Sequence, residues 1–186
     1  MPRLLSSLIA LGVALTLAGC SSPTPTPTAS SDPTPSVAAS LIPTAPPSDV
    51  VDVDSTQFAG EFGDYTFKIG DGPAWCTINV NQHSAICEQS EADANYAPIP
   101  VPTTCDYSYG YQVQLFSSAP TDGTKVADFL CSGGAYADAN SAGTLKSGER
   151  VTLDGITCYT VGTAARCENA ALNYIVLGPD AWALGG

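Results

Sequence analysis

Bases are scarce in this chain: six lysines and arginines stand against eighteen aspartates and glutamates, for a net charge of −12. Nucleic-acid-binding proteins neutralise phosphates with clustered Lys and Arg, so composition argues against that partner. Histidine is scarcer still, with His83 alone, and near a turn it reads as a solvated residue. A nucleophile–base pair therefore lacks its commonest base. No Gly-x-Ser-x-Gly occurs, nor any Gly-rich run ending in Lys-Ser or Lys-Thr, so neither acyl nor phosphoryl chemistry has its usual frame. No Cys-x-x-Cys pair occurs either, and a zinc site would have to gather scattered thiols. Neither a metal nor a cofactor is expected, and no residue is marked as catalytic. Leu, Ile and Met are few beyond residue 55, which points to a thin core.

What the chain does have begins at its start. Arg3, an uncharged apolar run from Leu4, and then Leu17-Ala18-Gly19-Cys20 form an export signal ending in a lipobox. The thiol carries a thioether-linked diacylglycerol, and the small residues before it fit the peptidase. The run is short of the ~20 residues a membrane span requires. The expectation is a signal peptide over 1–19, lipid and palmitate on Cys20, and an exported domain anchored to the outer face of the cell membrane. Removing Arg3 leaves five bases against eighteen acids, about −13. Anionic lipid repels such a chain, whereas two or more acyl chains hold it without protein help. Residues 20–55 read as a disordered Ser/Thr/Pro tether, with prolines from Pro23 to Pro47 favouring extended geometry. At ~3.1 Å per residue the Pro-rich stretch 21–49 could lift a domain up to roughly 80–90 Å. Its Thr-Pro repeats are candidate O-glycosylation acceptors.

Six cysteines remain in residues 56–186, and in an oxidising space they suggest three disulfides. Between Cys158 and Cys167 a two-residue turn starting at Gly162 has the type II′ preference. Alternation outward from that turn makes the two cysteines directly opposed, with Cα atoms ~4.5 Å apart. Cys76 and Cys87 are placed symmetrically about a four-residue loop, 80–83. Exclusion leaves Cys105 with Cys131, bracketing a hairpin that turns at Pro120 and Asp122-Gly123. Each closed loop would contribute roughly 3 kcal/mol by chain entropy.

The flanking hairpins look like one unit used twice: Asp71-Gly72 before Cys76 and Ala85-Ile86-Cys87-Glu88, then Asp154-Gly155 before Cys158 and Ala165-Arg166-Cys167-Glu168. Further strands are expected at 65–69, 150–153 and 173–177, with at most a helical turn near 91–95 or 136–140. The fold class is all-β: a small disulfide-stapled sandwich or partly open barrel of antiparallel hairpins, about eight strands. This order of Asp-Gly, aromatic-Cys, Ala-x-Cys-Glu, middle Cys pair, Leu145-x-x-Gly148 and Arg166-Cys167-Glu168-Asn169 is similar to an uncharacterised group of small secreted and lipid-anchored actinobacterial proteins. The chain departs from commoner members at Lys146-Ser147 and over 172–175. The resemblance implies an envelope location and the same disulfide pairing, and no activity.

Candidate sites follow. Trp75, Tyr136 and the row Tyr107, Tyr109 and Tyr111 are candidate binding residues, because exposed aromatics on a sheet stack on sugars or proteins. The tyrosines of the row alternate with Val113 and Leu115 on one face, which also suits a core. Glu88, Asp106 and Glu168 are candidate paired carboxylates for a carbohydrate-active hydrolase. Glu91-Ala-Asp93-Ala-Asn95 has the oxygens of a calcium loop but lacks its glycine and closing Glu. Residues 79–84 would serve a protease inhibitor if they form an extended protruding loop. The leading reading is a monomeric, non-enzymatic envelope lipoprotein, meeting the membrane through Cys20 and displaying its β module for a structural role in the wall or for binding a cell-wall glycan or envelope protein.

Overall fold

The computed structural model describes residues 49–186. The expected signal peptide, Cys20 and the tether up to residue 48 lie outside the described residues. Twelve strands form among the described residues: β1 Val51–Asp52, β2 Asp64–Ile69, β3 Trp75–Asn79, β4 Ser84–Glu88, β5 Ser108–Phe116, β6 Ala127–Ser132, β7 Gly143–Leu145, β8 Glu149–Leu153, β9 Ile156–Val161, β10 Ala164–Asn169, β11 Tyr174–Gly178 and β12 Ala181–Gly185. One sheet has the order β1-β8-β9-β10-β11-β12 and the other β6-β5-β4-β3-β2-β7. They pack face to face as an open sandwich rather than a closed barrel. Pairing is antiparallel except where β1 lies along β8 and β7 along β2.

Alternation decides which residues meet between the sheets. Phe67, Ile78, Val113, Leu115 and Leu145 from one sheet face Val151, Ile156, Ile175, Leu177 and Trp182 from the other, all at most 3% exposed. The disulfides are Cys76–Cys87, Cys105–Cys131 and Cys158–Cys167. In the two short hairpins the cysteines are directly opposed, with Cα atoms 4.0 Å apart. Both bridges point inward, and Cys87 Sγ lies 3.6 Å from Cys167 Sγ. The centre of the core is thus sulfur packed on sulfur, which supplies the apolar volume that a sequence poor in large aliphatics lacks.

Gly162 (φ 60) opens the β9–β10 turn, with Val161 and Ala164 paired across it, as the turn chemistry requires. The β2–β3 turn comes so close to that tip that a Cβ on Gly72 would sit 2.1 Å from the Thr163 carbonyl oxygen. Only glycine fits there. Three features depart from expectation. The ordered domain starts before residue 56: Val51 and Asp52 pair with β8, and Arg150 grips Asp52 through two bonds of 2.7 and 2.8 Å. The strand count exceeds eight, because β1, β7 and β12 are short or rich in small residues. Residues 136–140 form no helical turn, whereas Glu91–Asp93 is a single 3-10 turn capped by Ser90.

Candidate functional site

The connection from β6 to β7 must travel from one edge of its sheet to the other, and residues 133–142 do so across the sheet's outer face. A buried carboxylate holds them there. Glu88, 2% exposed, accepts from Tyr136 N (2.6 Å) and Ala137 N (3.2 Å) in the crossing strap. It also accepts from Trp75 Nε1 (2.9 Å) and from Gln112 Nε2 on the strands either side. Register explains the cluster, since Trp75 pairs with Glu88 and Glu88 with Gln112, all on the face opposite the core. Tyr136 OH accepts from Asn79 Nδ2 at 3.2 Å, fixing the strap a second time.

Beside this knot lies a cavity of about 220 Å³, lined by Trp75, Gln89, Glu91, Ser108, Tyr111 and Ser132 among others. Trp75 also walls a shallower depression of about 490 Å³ along the strap. Two aromatic faces and a set of acceptors converge here. Tyr111 stacks on Tyr96, with ring centroids 6.3 Å apart. Burial raises the Tyr111 phenol above its ordinary pKa, and neighbouring Glu91 raises it further.

Gln89 is the informative residue. It is 5% exposed, and its Nε2 donates to Tyr96 OH (3.0 Å), which in turn donates to Gly110 O (2.8 Å). That relay fixes which end of the amide is oxygen. Gln89 Oε1 is then a buried acceptor without a partner among the described residues. A buried acceptor left unmatched costs ~1–3 kcal/mol. An O–H or N–H from a ligand in the cavity that Gln89 lines would remove that cost. Gln89, Ser108, Gln112 and Ser132 were not picked out from the sequence. The readable signal was glutamine at 112 and 114, on the strand face opposite Val113 and Leu115.

The aromatic candidates separate, with Tyr136 in the strap beside Trp75 in the shallower depression. Trp75 and Tyr111 share the cavity. Tyr107 is 66% exposed and packs beside Gly133 at the start of the strap. Tyr109 belongs to the core side, 5.6 Å from Phe129, which meets Trp182 edge-on at 5.0 Å. A bulge between Tyr109 and Val113, with Gly110 at φ 99, shifts the register against β6, yet Tyr109 and Tyr111 both pack against the core that holds Val113 and Leu115.

The candidate carboxylates are not brought together. Glu88 faces outward from one sheet, while Glu168 faces outward from the other and takes Arg166 Nε (3.2 Å) and Tyr159 OH (3.3 Å). Asp106 is exposed on the loop between them in sequence. Residues 79–84 form a closed turn, with Gln82 N bonded to Asn79 Oδ1 at 2.7 Å, rather than an extended loop. Asn95 spends its amide on Asp180 Oδ1 (2.8 Å), so the calcium-like segment hooks onto the β11–β12 tip. Among the described residues, the one cluster with metal-ligand spacing is Cys76, Cys87 and Cys167, whose sulfurs are already bonded in disulfides. No protein-family model matches this chain, and searches of curated proteins and of solved structures find no match.

Proposed function

We propose that the chain is an exported, lipid-anchored binding module without catalytic activity, whose strapped sheet face takes the end of an envelope glycan. The observation that carries the ligand class is Gln89 Oε1, a buried acceptor without a partner beside the aromatic faces of Trp75 and Tyr111. The polar groups of the wall are acceptors and hydroxyls, with Glu91, Ser108 and Ser132 alongside. A polyol offers many donors and apolar C–H faces, which suit such a wall and the rings. Export is supported by the lipobox at Cys20 and by three disulfides, which persist in oxidising compartments. The cysteine order shared with the secreted actinobacterial group points the same way.

The test is a titration of the Cys20→Ser chain with soluble oligosaccharides, neutral and N-acetylated, followed by tryptophan fluorescence and calorimetry. A bound sugar shifts emission from Trp75, and Trp75→Ala abolishes the signal. Gln89→Leu weakens binding at least tenfold while leaving the thermal midpoint unchanged or raised. No saturable binding of any of these sugars would sink the glycan reading, and binding indifferent to both substitutions would sink its assignment to this cavity. Separately, palmitate labelling lost in Cys20→Ser tests the anchor.

A further inference from the structure

Four non-glycine residues among those described have left-handed backbone: Phe62 (φ 57), His83 (φ 52), Asp154 (φ 51) and Leu172 (φ 64). All four lie at one end of the sandwich, the end away from where the chain joins it. Val51 and Asp52 pair with the first residues of β8, so the chain arrives at the opposite end. A hydrogen-bonded chain links the four. Asn81 Nδ2 donates to Phe62 O (2.8 Å), His83 Nδ1 meets Asp154 Oδ2 (2.8 Å), Ser117 N donates to His83 O (2.8 Å), and Asn169 Nδ2 donates to Phe116 O (3.0 Å).

Two of the four residues are wrong for their turns and right for a partner. Phe62 and Gly63 (φ 78) are the central pair of a type I′ turn closed by Asp64 N to Glu61 O at 3.0 Å. Asn, Asp or Gly dominates the first of those positions. Leu172 ends the β10–β11 turn, its N–H bonded to Asn169 O at 2.9 Å, at a left-handed position that favours Gly. A bulky side chain with positive φ is strained, and strain of this kind gathers where a surface is used. Neither side chain repays the strain by burial: Phe62 is 82% exposed and Leu172 74%. Both turns are held rigid, Phe62 through its carbonyl and Leu172 by Asn169 Oδ1, which accepts from the N–H of both Ala171 (3.0 Å) and Asn173 (3.1 Å).

We infer that this end is a protein-docking surface, with Phe62 and Leu172 as preorganised apolar anchors for a basic partner. Charge selects the partner. Glu61 and Asp122 are exposed there, Lys125 is occupied by Asp128 at 3.3 Å, and His83 by Asp154. An anionic bilayer or a second copy of a chain carrying −12 would meet like charge. The surface is separate from the Gln89 cavity and does not depend on what that cavity binds.

The test places benzoylphenylalanine at 62, at 172 and, as a control near the chain's point of arrival, at Ser147, in cells making the full chain. Illumination is expected to give one and the same cross-linked polypeptide, of basic composition, from 62 and 172 and none from 147. The 62 product falls at least tenfold in Leu172→Gly, and the 172 product falls likewise in Phe62→Asn. Both substitutions install the residues those turns favour, so thermal midpoints stay level or rise and unfolding cannot explain the loss. Different products from the two positions, a homodimer, a lipid adduct, no product, or products indifferent to the paired substitution would each overturn the assignment.

Discussion

Glu88 accepts four hydrogen bonds from three separate segments, and the cost of burying the carboxylate is offset by all of them together. Glu88→Gln sets an amide N–H against at least one of those donors. The expected loss is about 2–3 kcal/mol in urea unfolding, with faster hydrogen exchange at Tyr136 and Ala137 before any global opening. Unchanged exchange in the strap would show that Glu88 does not hold it. Tyrosines supply a second residue-scale prediction. Burial pushes the Tyr159 phenol up to about 12 and raises Tyr96 as well. Unfolded phenols ionise near 10, so between about 10 and 12 the folded state keeps protons that the unfolded state has released. Stability is therefore full below about pH 10 and falls as pH climbs toward 12. Absorbance at alkaline pH should show buried tyrosines ionising only with unfolding, and a simple titration of all of them near 10 would contradict it. Glu88 was legible as an acid after Cys87, but its donors at 136 and 137 are distant in sequence, so nothing local marked its role. Gln89 was hidden for the same reason.

Hairpins were the legible elements, because their information is local. Gly162 and the symmetric placement of Cys76 and Cys87 state turn, register and bridge within a dozen residues. What the sequence did not disclose comes from distance or from weak propensity. β7 is three residues lying parallel to β2 across a long connection, and β12 is built of Ala, Trp, Leu and Gly. The tyrosine row was legible as core packing at Tyr109 and Tyr111, whereas the register shift at Gly110 leaves no mark in the alternation. Disulfides are not equivalent at this scale. Cys76, Cys87, Cys158 and Cys167 have no exposed surface, whereas Cys131 is exposed on edge strand β6. Exchange needs access for the attacking thiolate. Mild dithiol treatment of the folded chain should therefore free Cys105 and Cys131 first, read by alkylation and peptide mass. The two core bridges should yield only under denaturing conditions. Removing the inner pair as Cys158→Ala with Cys167→Ala should cost about 3 kcal/mol or more, through lost loop constraint and lost contact with Cys87.

At the scale of the molecule, charge is the dominant long-range fact. Eighteen acids and six bases leave −12, and among the described residues three bases are engaged in pairs: Arg150 with Asp52, Lys125 with Asp128 and Arg166 with Glu168. The Arg150 guanidinium holds the Asp52 carboxyl below its ordinary range, so acidification releases β1 only after that lowered pKa is passed. Two effects of added salt then oppose each other. Screening weakens exposed pairs such as Asp52–Arg150. It also weakens the repulsion among the many unmatched carboxylates, which destabilises the compact state. The unmatched charges outnumber the pairs several-fold, and Arg166–Glu168 is buried, where salt screens little. Repulsion should win. Raising ionic strength from about 0.01 M to about 0.15 M, which shortens the Debye length from about 30 to about 8 Å, should raise the thermal midpoint. Arg150→Gln should leave that direction intact, since it removes a pair and adds to the imbalance. A midpoint that falls with salt would mean that attraction outweighs repulsion at this surface, and the acidic surface would then need a bound cation or basic partner to account for its stability.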